Sequence, residues 1–150
     1  MKEYIIREGE ARDLEQILRN NLAMAYETEE KILDEEKVRQ GTEAILKGRV
    51  DGKYYVIESN GKILSQLMIT KEWSDWRNCY FWWIQSVYTL PDERGKGYYG
   101  ALYEYVVKMA KKSGACGIRL YVDRRNVKAM KVYEKYGMKK SNYEIYEIEF

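Results

Sequence analysis

Residues Gly95-Lys96-Gly97-Tyr98-Tyr99-Gly100 spell G-x-G-x-x-G, with Asp123 roughly 20 residues further on. Glycines so spaced let a backbone pass close to an anion, so the chemistry in question is phosphate binding. Three kinds of phosphate site use such a turn. A P-loop needs Lys and Ser/Thr after its second glycine, but Ala101-Leu102 follow Gly100. A dinucleotide turn wants its glycines almost directly on a strand end that opens a doubly wound sheet. Here Pro91-Asp92-Glu93-Arg94 intervene and only 50 residues follow Gly100. The third site is the N-terminus of a helix after a central strand, where N–H groups and the helix dipole converge on a pyrophosphate. Arg94 and Lys96 would add positive charge there. A glycine-rich turn that binds nothing stays open on these residues alone.

The rest of the side-chain inventory excludes more than it offers. The chain has no histidine, which removes Ser-His-Asp and Cys-His nucleophile systems and histidine acid–base catalysis. Proton transfer falls to Asp, Glu, Tyr, Lys, Cys or water. The two cysteines, Cys79 and Cys116, match no zinc spacing and cannot form a disulfide framework, so no metal site is expected. Net charge is +2, too small to argue for nucleic acid, but it is unevenly spread. Residues 1–75 carry 12 Lys/Arg against 16 Asp/Glu, and residues 76–150 carry 14 against 8. An anionic ligand on the second half and a cationic one facing the first fit that asymmetry, as does uneven surface decoration.

The elements that must position the turn follow from local patterns. At 150 residues the chain is most simply one domain, 1–150. Apolar runs are too short to span a bilayer and the N-terminus is studded with charge, so a cytoplasmic protein is the default. Residues 3–8 read as a strand, and Leu14, Ile17, Leu18, Leu22 and Ala25 as one helical face. Asp34 caps a second helix that stops at Gly48. Lys53 to Glu58, the turn Asn60-Gly61 and Ile63 to Thr70 make a hairpin. Tyr80 to Thr89 is apolar on both faces, which predicts a central strand. A helix from about Gly97 to Lys112 should bury Leu102, Tyr105, Val106 and Met109. Ile118 to Val122 reads as a strand, Asn126 to Tyr136 as a helix closed by Gly137, and Tyr143 to Phe150 as one or two last strands. The order β-α-α-β-β-β-α-β-α-β predicts an α/β (mixed α+β) fold, a mixed sheet with helices on its faces.

Two stretches together resemble the GCN5-related N-acetyltransferase (GNAT) family. Arg94-Gly95-Lys96-Gly97-Tyr98-Tyr99 is similar to its R/Q-x-x-G-x-G/A turn, and Asn126, Ala129, Tyr133, Gly137 and Met138 to its N-x-x-A-x-x-x-Y-x-x-x-G-F/M motif. The element order is also the family's, so the resemblance spans most of the chain. It departs at Tyr99, where the family prefers Gly or Ala and Gly100 comes one place late. The resemblance implies a GNAT-like fold with a central six- to seven-stranded sheet, splayed between its fourth and fifth strands, Tyr80–Thr89 and Ile118–Val122.

It also implies acetyl-CoA as co-substrate, with pyrophosphate on Arg94, Gly95, Lys96, Gly97, Tyr98, Tyr99 and Gly100. The pantetheine arm would pair with the backbone of Val87, Tyr88 and Thr89 and meet the Asn126 side chain. An amine of a peptide or small molecule would attack the thioester in a ternary complex, with an N–H near Val87 facing the oxyanion. The acidic stretches Glu27 to Glu30 and Asp34 to Glu36 are open to a cationic amine, as they are to solvated helix-end charge, the commoner case. Tyr133 is the implied acid for the CoA thiolate; two helical turns separate it from Asn126, so both share a face. Glu27, Glu29, Glu72 and Asp75 are candidate bases, as is water. Arg124, Arg125, Lys128 and Lys131 could hold the ribose phosphate. A non-catalytic CoA-binding or sensor domain of the same fold is the alternative function. Neither nucleic acid nor membrane is an expected partner; a homodimer is compatible with the reading.

Overall fold

The computed structural model describes residues 2–150, which form two compact units, one running to Leu120 and the other from Tyr121 to Phe150. The first unit holds the sheet. Its elements are β1 (Ile5–Glu8), α1 (Leu14–Glu29), α2 (Glu35–Leu46), β2 (Gly52–Ser59), β3 (Lys62–Ser74), β4 (Cys79–Thr89), α3 (Tyr98–Lys112) and β5 (Gly117–Arg119). Strands β1 to β4 pair antiparallel in sequence order and β5 joins β4 in parallel.

Local chemistry sets most of the boundaries. The Asp34 carboxylate accepts hydrogen bonds from the N–H groups of Glu36 and Lys37, starting α2 as expected. Asn60 and Gly61, at φ 51° and 76°, make the tight turn from β2 to β3. The turn also fixes which side chains face which helix, because neighbouring residues of a strand point to opposite faces. Tyr54 of β2 points to the α1 side, where its hydroxyl accepts a hydrogen bond from the Asn21 amide, while the adjacent Tyr55 lies against Tyr105 of α3 and Trp82 of β4. Helices therefore cover both faces, and Val56, Ile57, Ile63, Leu67 and Leu102 are sealed from solvent. Of the stripe expected on α3, Leu102 and Val106 are buried while Tyr105 and Met109 are only half-buried; Tyr98, Gly100, Tyr103 and Ala110 take the other buried positions.

Among the described residues the sheet has five strands rather than six or seven. Tyr143 to Phe150, expected as the last strands, carries no strand structure in the second unit, and Tyr143, Ile145, Tyr146, Ile148 and Phe150 are exposed. Apolar residues fall at 143, 145, 146, 148 and 150 and so change phase midway, leaving no single apolar face to anchor a strand. β5 is also shorter than Ile118–Val122. Its ladder runs only from Phe81↔Gly117 to Trp83↔Arg119, so the sheet opens beyond Trp83, between the fourth and fifth strands. Near the start of that ladder the two cysteines, 37 residues apart in sequence, form a Cys79–Cys116 disulfide with Cα atoms 5.6 Å apart. Parallel pairing brings them together, which spacing along the chain does not reveal. The second unit is built around α4 (Val127–Lys135), capped by the Asn126 side chain on the Ala129 N–H and closed at Gly137, φ 92°.

Candidate active site

The chemistry-bearing part of the first unit is the far end of β4 and the turn after it. Opposite β3, Gln66 pairs with Tyr88 and Met68 with Gln85, so Ser86 and Val87 both face the single residue Leu67. This is a β-bulge, and it falls where the oxyanion donor was expected. Ser86 adopts φ 51°, a left-handed conformation that costs a non-glycine residue roughly 1–2 kcal/mol. A buried polar network braces it. Gln66, fully buried, donates to the Ser86 carbonyl (3.4 Å) and to Asn21 Oδ1 (3.0 Å), and accepts from Asn20 Nδ2 (3.0 Å). Asn21 in turn donates to Thr42 (3.2 Å) and to the Tyr54 hydroxyl (3.1 Å).

Three residues beyond Ser86, the Thr89 and Ser65 hydroxyls share a hydrogen bond of 2.8 Å, and the Leu90 N–H bonds the Leu64 carbonyl. The chain then turns through Pro91–Glu93 into the glycine stretch. Gly95 and Gly97 take φ 76° and 85°, values that favour glycine, and open space surrounds the missing Cβ of Gly95. α3 opens at Tyr98, and its first helical bond runs from the Ala101 N–H to the Gly97 carbonyl. The N–H groups of Tyr98, Tyr99 and Gly100 precede that bond, in the position where a helix receives an anion. Both tyrosine rings are packed among others: Tyr98, 1% exposed, meets Tyr4 edge-on, and Tyr99 lies by Tyr103. The departure at Tyr99 thus changes side-chain packing and keeps a backbone N–H at the helix start. A diphosphate fits these features: an open glycine turn, a helix start and two cations.

Those cations have carboxylate partners. Lys96 donates to Glu93 (3.2 Å), a buried residue that Lys2 also contacts (2.5 Å). Lys2 above all, with Lys96, holds the Glu93 carboxyl below its usual range. Arg94 donates through Nη2 to Glu27 of α1 (2.8 Å) and through Nε to the Thr89 carbonyl (2.9 Å), with its guanidinium 5.2 Å from the Tyr88 ring. The Tyr88 hydroxyl donates to the other Glu27 oxygen at 2.8 Å. Arg94, and less strongly Tyr88, lower the Glu27 carboxyl. A reading by motif missed this contact, because Glu27 lies 67 residues from Arg94.

The other candidate carboxylates lie elsewhere. Glu72 pairs with Phe81 in the ladder, six residues from Val87 along β4, or roughly 20 Å. There it accepts hydrogen bonds from Trp83 Nε1 (2.8 Å) and Arg119 (2.9 Å). Asp75 is exposed in the β3–β4 turn and Glu29 is exposed at the end of α1. Only Glu27 is joined to the bulge end of β4.

The second unit carries the other motif. Asn126 Oδ1 accepts from the Ala129 N–H (3.1 Å), which commits that oxygen to starting α4 and leaves the amide nitrogen as the group able to reach a ligand. Tyr133 is half-buried, and burial pushes its phenol above the ordinary value. Arg125 is bound to Asp123 (2.8 Å), whose carboxyl is pulled down to about 2 by that side chain and by the Arg125 N–H. No described helix is long and apolar enough to cross a membrane.

A family model described as the acetyltransferase (GNAT) family matches residues 12–138. Among solved structures, the chain is similar to a "possible acetyltransferase" from Clostridium difficile 630, with 40% identity over 98% of this chain and 97% of that one and a TM-score of 0.92. A "predicted acetyltransferase with acetyl-CoA" from Clostridium acetobutylicum shares 17% identity over 97% and 96% of the two chains, TM-score 0.81. The ribosomal-protein-alanine N-acetyltransferase of Brucella melitensis biovar Abortus 2308 shares 18% over 99% of each, TM-score 0.78. At those last two identities the likeness is one of fold. No curated protein matches.

Proposed function

The chain belongs to the GNAT acetyltransferase family, and from that premise we propose that it moves the acetyl group of acetyl-CoA to a primary amine by direct attack in a ternary complex. The observation that carries this reading is the bulge at Ser86–Val87 set next to the glycine turn that opens α3. One presents backbone to a thioester carbonyl and the other to a pyrophosphate. In this proposal residues 1–150 act as one N-acetyltransferase domain, which the family match supports by running unbroken from 12 to 138.

The donor's pyrophosphate rests on Gly95 to Gly100 at the start of α3, with Arg94 and Lys96 supplying charge. Its pantetheine arm lies along the backbone of Val87, Tyr88 and Thr89 and takes a hydrogen bond from the Asn126 amide. The amine attacks the acetyl carbonyl, and the N–H near Val87 faces the oxygen as it becomes negative. A donor fixed in place by a braced bulge needs no reorganisation when that charge appears. Collapse of the tetrahedral intermediate expels the CoA thiolate, and Tyr133 gives it a proton. The attacking nitrogen loses its own proton to water.

Acetyl-CoA should raise the melting temperature by linkage, whereas NAD and ATP should not. A panel of acceptor amines, followed by release of free CoA thiol, tests the transfer itself. Stabilisation by NAD in place of acetyl-CoA would defeat the reading.

A further inference from the structure

The two cations of the glycine turn are held differently, and the difference has a functional consequence. Glu93, the partner of Lys96, sits in the turn and is nearly sealed, with its side chain 7% exposed. Glu27, the partner of Arg94, comes from the last turn of α1 and remains 37% exposed, and Arg94 47%. Arg94 spends Nε on Thr89 and Nη2 on Glu27, the two donors of one guanidinium edge. That edge can capture a phosphate through two parallel hydrogen bonds. An ion pair this exposed is worth at most about 1 kcal/mol. A pyrophosphate brings more charge and several acceptor oxygens, so it can displace a single carboxylate.

Displacement does not leave Glu27 adrift. The Tyr88 hydroxyl still donates to Oε1, and Tyr88 is itself 6% exposed and fixed in β4 beside Val87. Once Arg94 turns to the phosphate, the Glu27 carboxylate stands next to the bulge with one oxygen and its negative charge free for a new partner.

We propose that Glu27 is a specificity-determining residue that works by partner exchange. Before the donor arrives it holds Arg94. The donor's pyrophosphate takes Arg94 over, and the released carboxylate, steadied by Tyr88, receives the ammonium group of a cationic acceptor. Donor and acceptor binding then reinforce each other, and reciprocity requires that each strengthen the other by the same factor. The inference rests on the acetyl-transfer reading and adds to it the acceptor's charge and the order of binding.

Calorimetry on the full chain tests this without turnover. Glu27→Gln should bind acetyl-CoA roughly two- to five-fold more tightly than wild type, because a weak competitor for Arg94 has gone. In an Arg94→Ala background the same substitution should leave acetyl-CoA affinity unchanged. Binding of 1,4-diaminobutane to wild type should tighten several-fold when CoA is saturating, and this gain should vanish in Glu27→Gln. Melting temperatures within a degree or two of wild type would show that both variants fold. Weaker or unaltered acetyl-CoA binding in Glu27→Gln overturns the proposal, since it would mean that Glu27 positions Arg94 and does not compete for it. Diamine affinity indifferent to CoA overturns the acceptor half. Failure of wild type to bind acetyl-CoA at all would defeat the underlying reading instead, and is told apart by the wild-type titration alone.

Discussion

Gln66 and Ser86 meet where β4 leaves its regular ladder. The buried amide of one donates to the carbonyl of the other, 3.4 Å away, and that carbonyl belongs to a residue at φ 51°. A left-handed serine in mid-strand persists only if its surroundings determine it. Here Asn20 and Asn21 of α1 fix both ends of the Gln66 amide, so helix packing and bulge geometry are one structure.

Gln66→Met keeps the volume and removes the hydrogen bonds. It leaves Asn20, Asn21 and the Ser86 carbonyl short of partners in a sealed site, at a cost of roughly 2–4 kcal/mol. If the network holds the Val87 N–H in line with the developing oxyanion, kcat should fall by about 10-fold or more, since small misplacements at a reacting centre are costly. Acetyl-CoA affinity should change far less, because the glycine turn is untouched. Urea unfolding and single-turnover rates on folded protein check the two effects separately. Loss of stability with kcat intact would make Gln66 a packing residue only.

Gly97 tests the donor turn. At φ 85° any side chain is strained by roughly 1–2 kcal/mol. Gly97→Asp adds to that strain a negative charge beside the expected pyrophosphate, and should abolish the rise in melting temperature given by acetyl-CoA. Gly97→Asn carries the same backbone strain without the charge and should retain part of the rise. Equal loss in both variants would mean that shape, not charge, decides the site.

Much of this arrangement was legible because its signals are local. Asp34, Asn60-Gly61, Gly97 and Asn126 act on atoms within a few residues of themselves, and each falls where its pattern placed it. What stayed hidden depends on distant partners. Asn20, Asn21 and Gln66 look like surface residues until α1 is laid on β3. Cys79 and Cys116 become neighbours only through the parallel pairing of β5, and Glu27 reaches Arg94 across 67 residues. The last strands failed for the opposite reason, since Tyr143 to Phe150 has strand-forming residues and no ladder to join in its unit.

Acid should weaken the first unit through Asp13. Its carboxylate is 3% exposed and takes two hydrogen bonds from Arg7, at 2.7 and 2.9 Å, and one from the Glu10 N–H. Burial alone would raise this carboxyl, but those donors outweigh it and hold it below 3.8. A depressed folded-state value gives stability that is fully present above the unfolded pKa, about 3.9, and is lost as pH falls through the lower folded value. Asp13→Asn, which leaves Arg7 half-paired, should cost roughly 3 kcal/mol at pH 7. Denaturant titrations of the two proteins should converge as pH drops below about 4. A difference that does not vary with pH would assign the loss to packing.

Tyr133 offers the sharpest test of the chemistry. Burial raises its phenol, so it is protonated throughout the neutral range and able to donate to a thiolate as that charge develops. The same half-buried position on α4 would also suit a residue that only packs its helix. Tyr133→Phe separates the roles, because it keeps the ring and removes the hydroxyl alone. If the phenol protonates the leaving sulfur, kcat should fall by roughly 100-fold while acetyl-CoA affinity and melting temperature hardly move. The deficit should shrink for an acyl donor whose thiol is more acidic, since such a leaving group needs less help from a proton. A packing role predicts the reverse: near-normal kcat for both donors. Unchanged kcat with chemistry rate-limiting would remove Tyr133 from the mechanism and leave water as the acid.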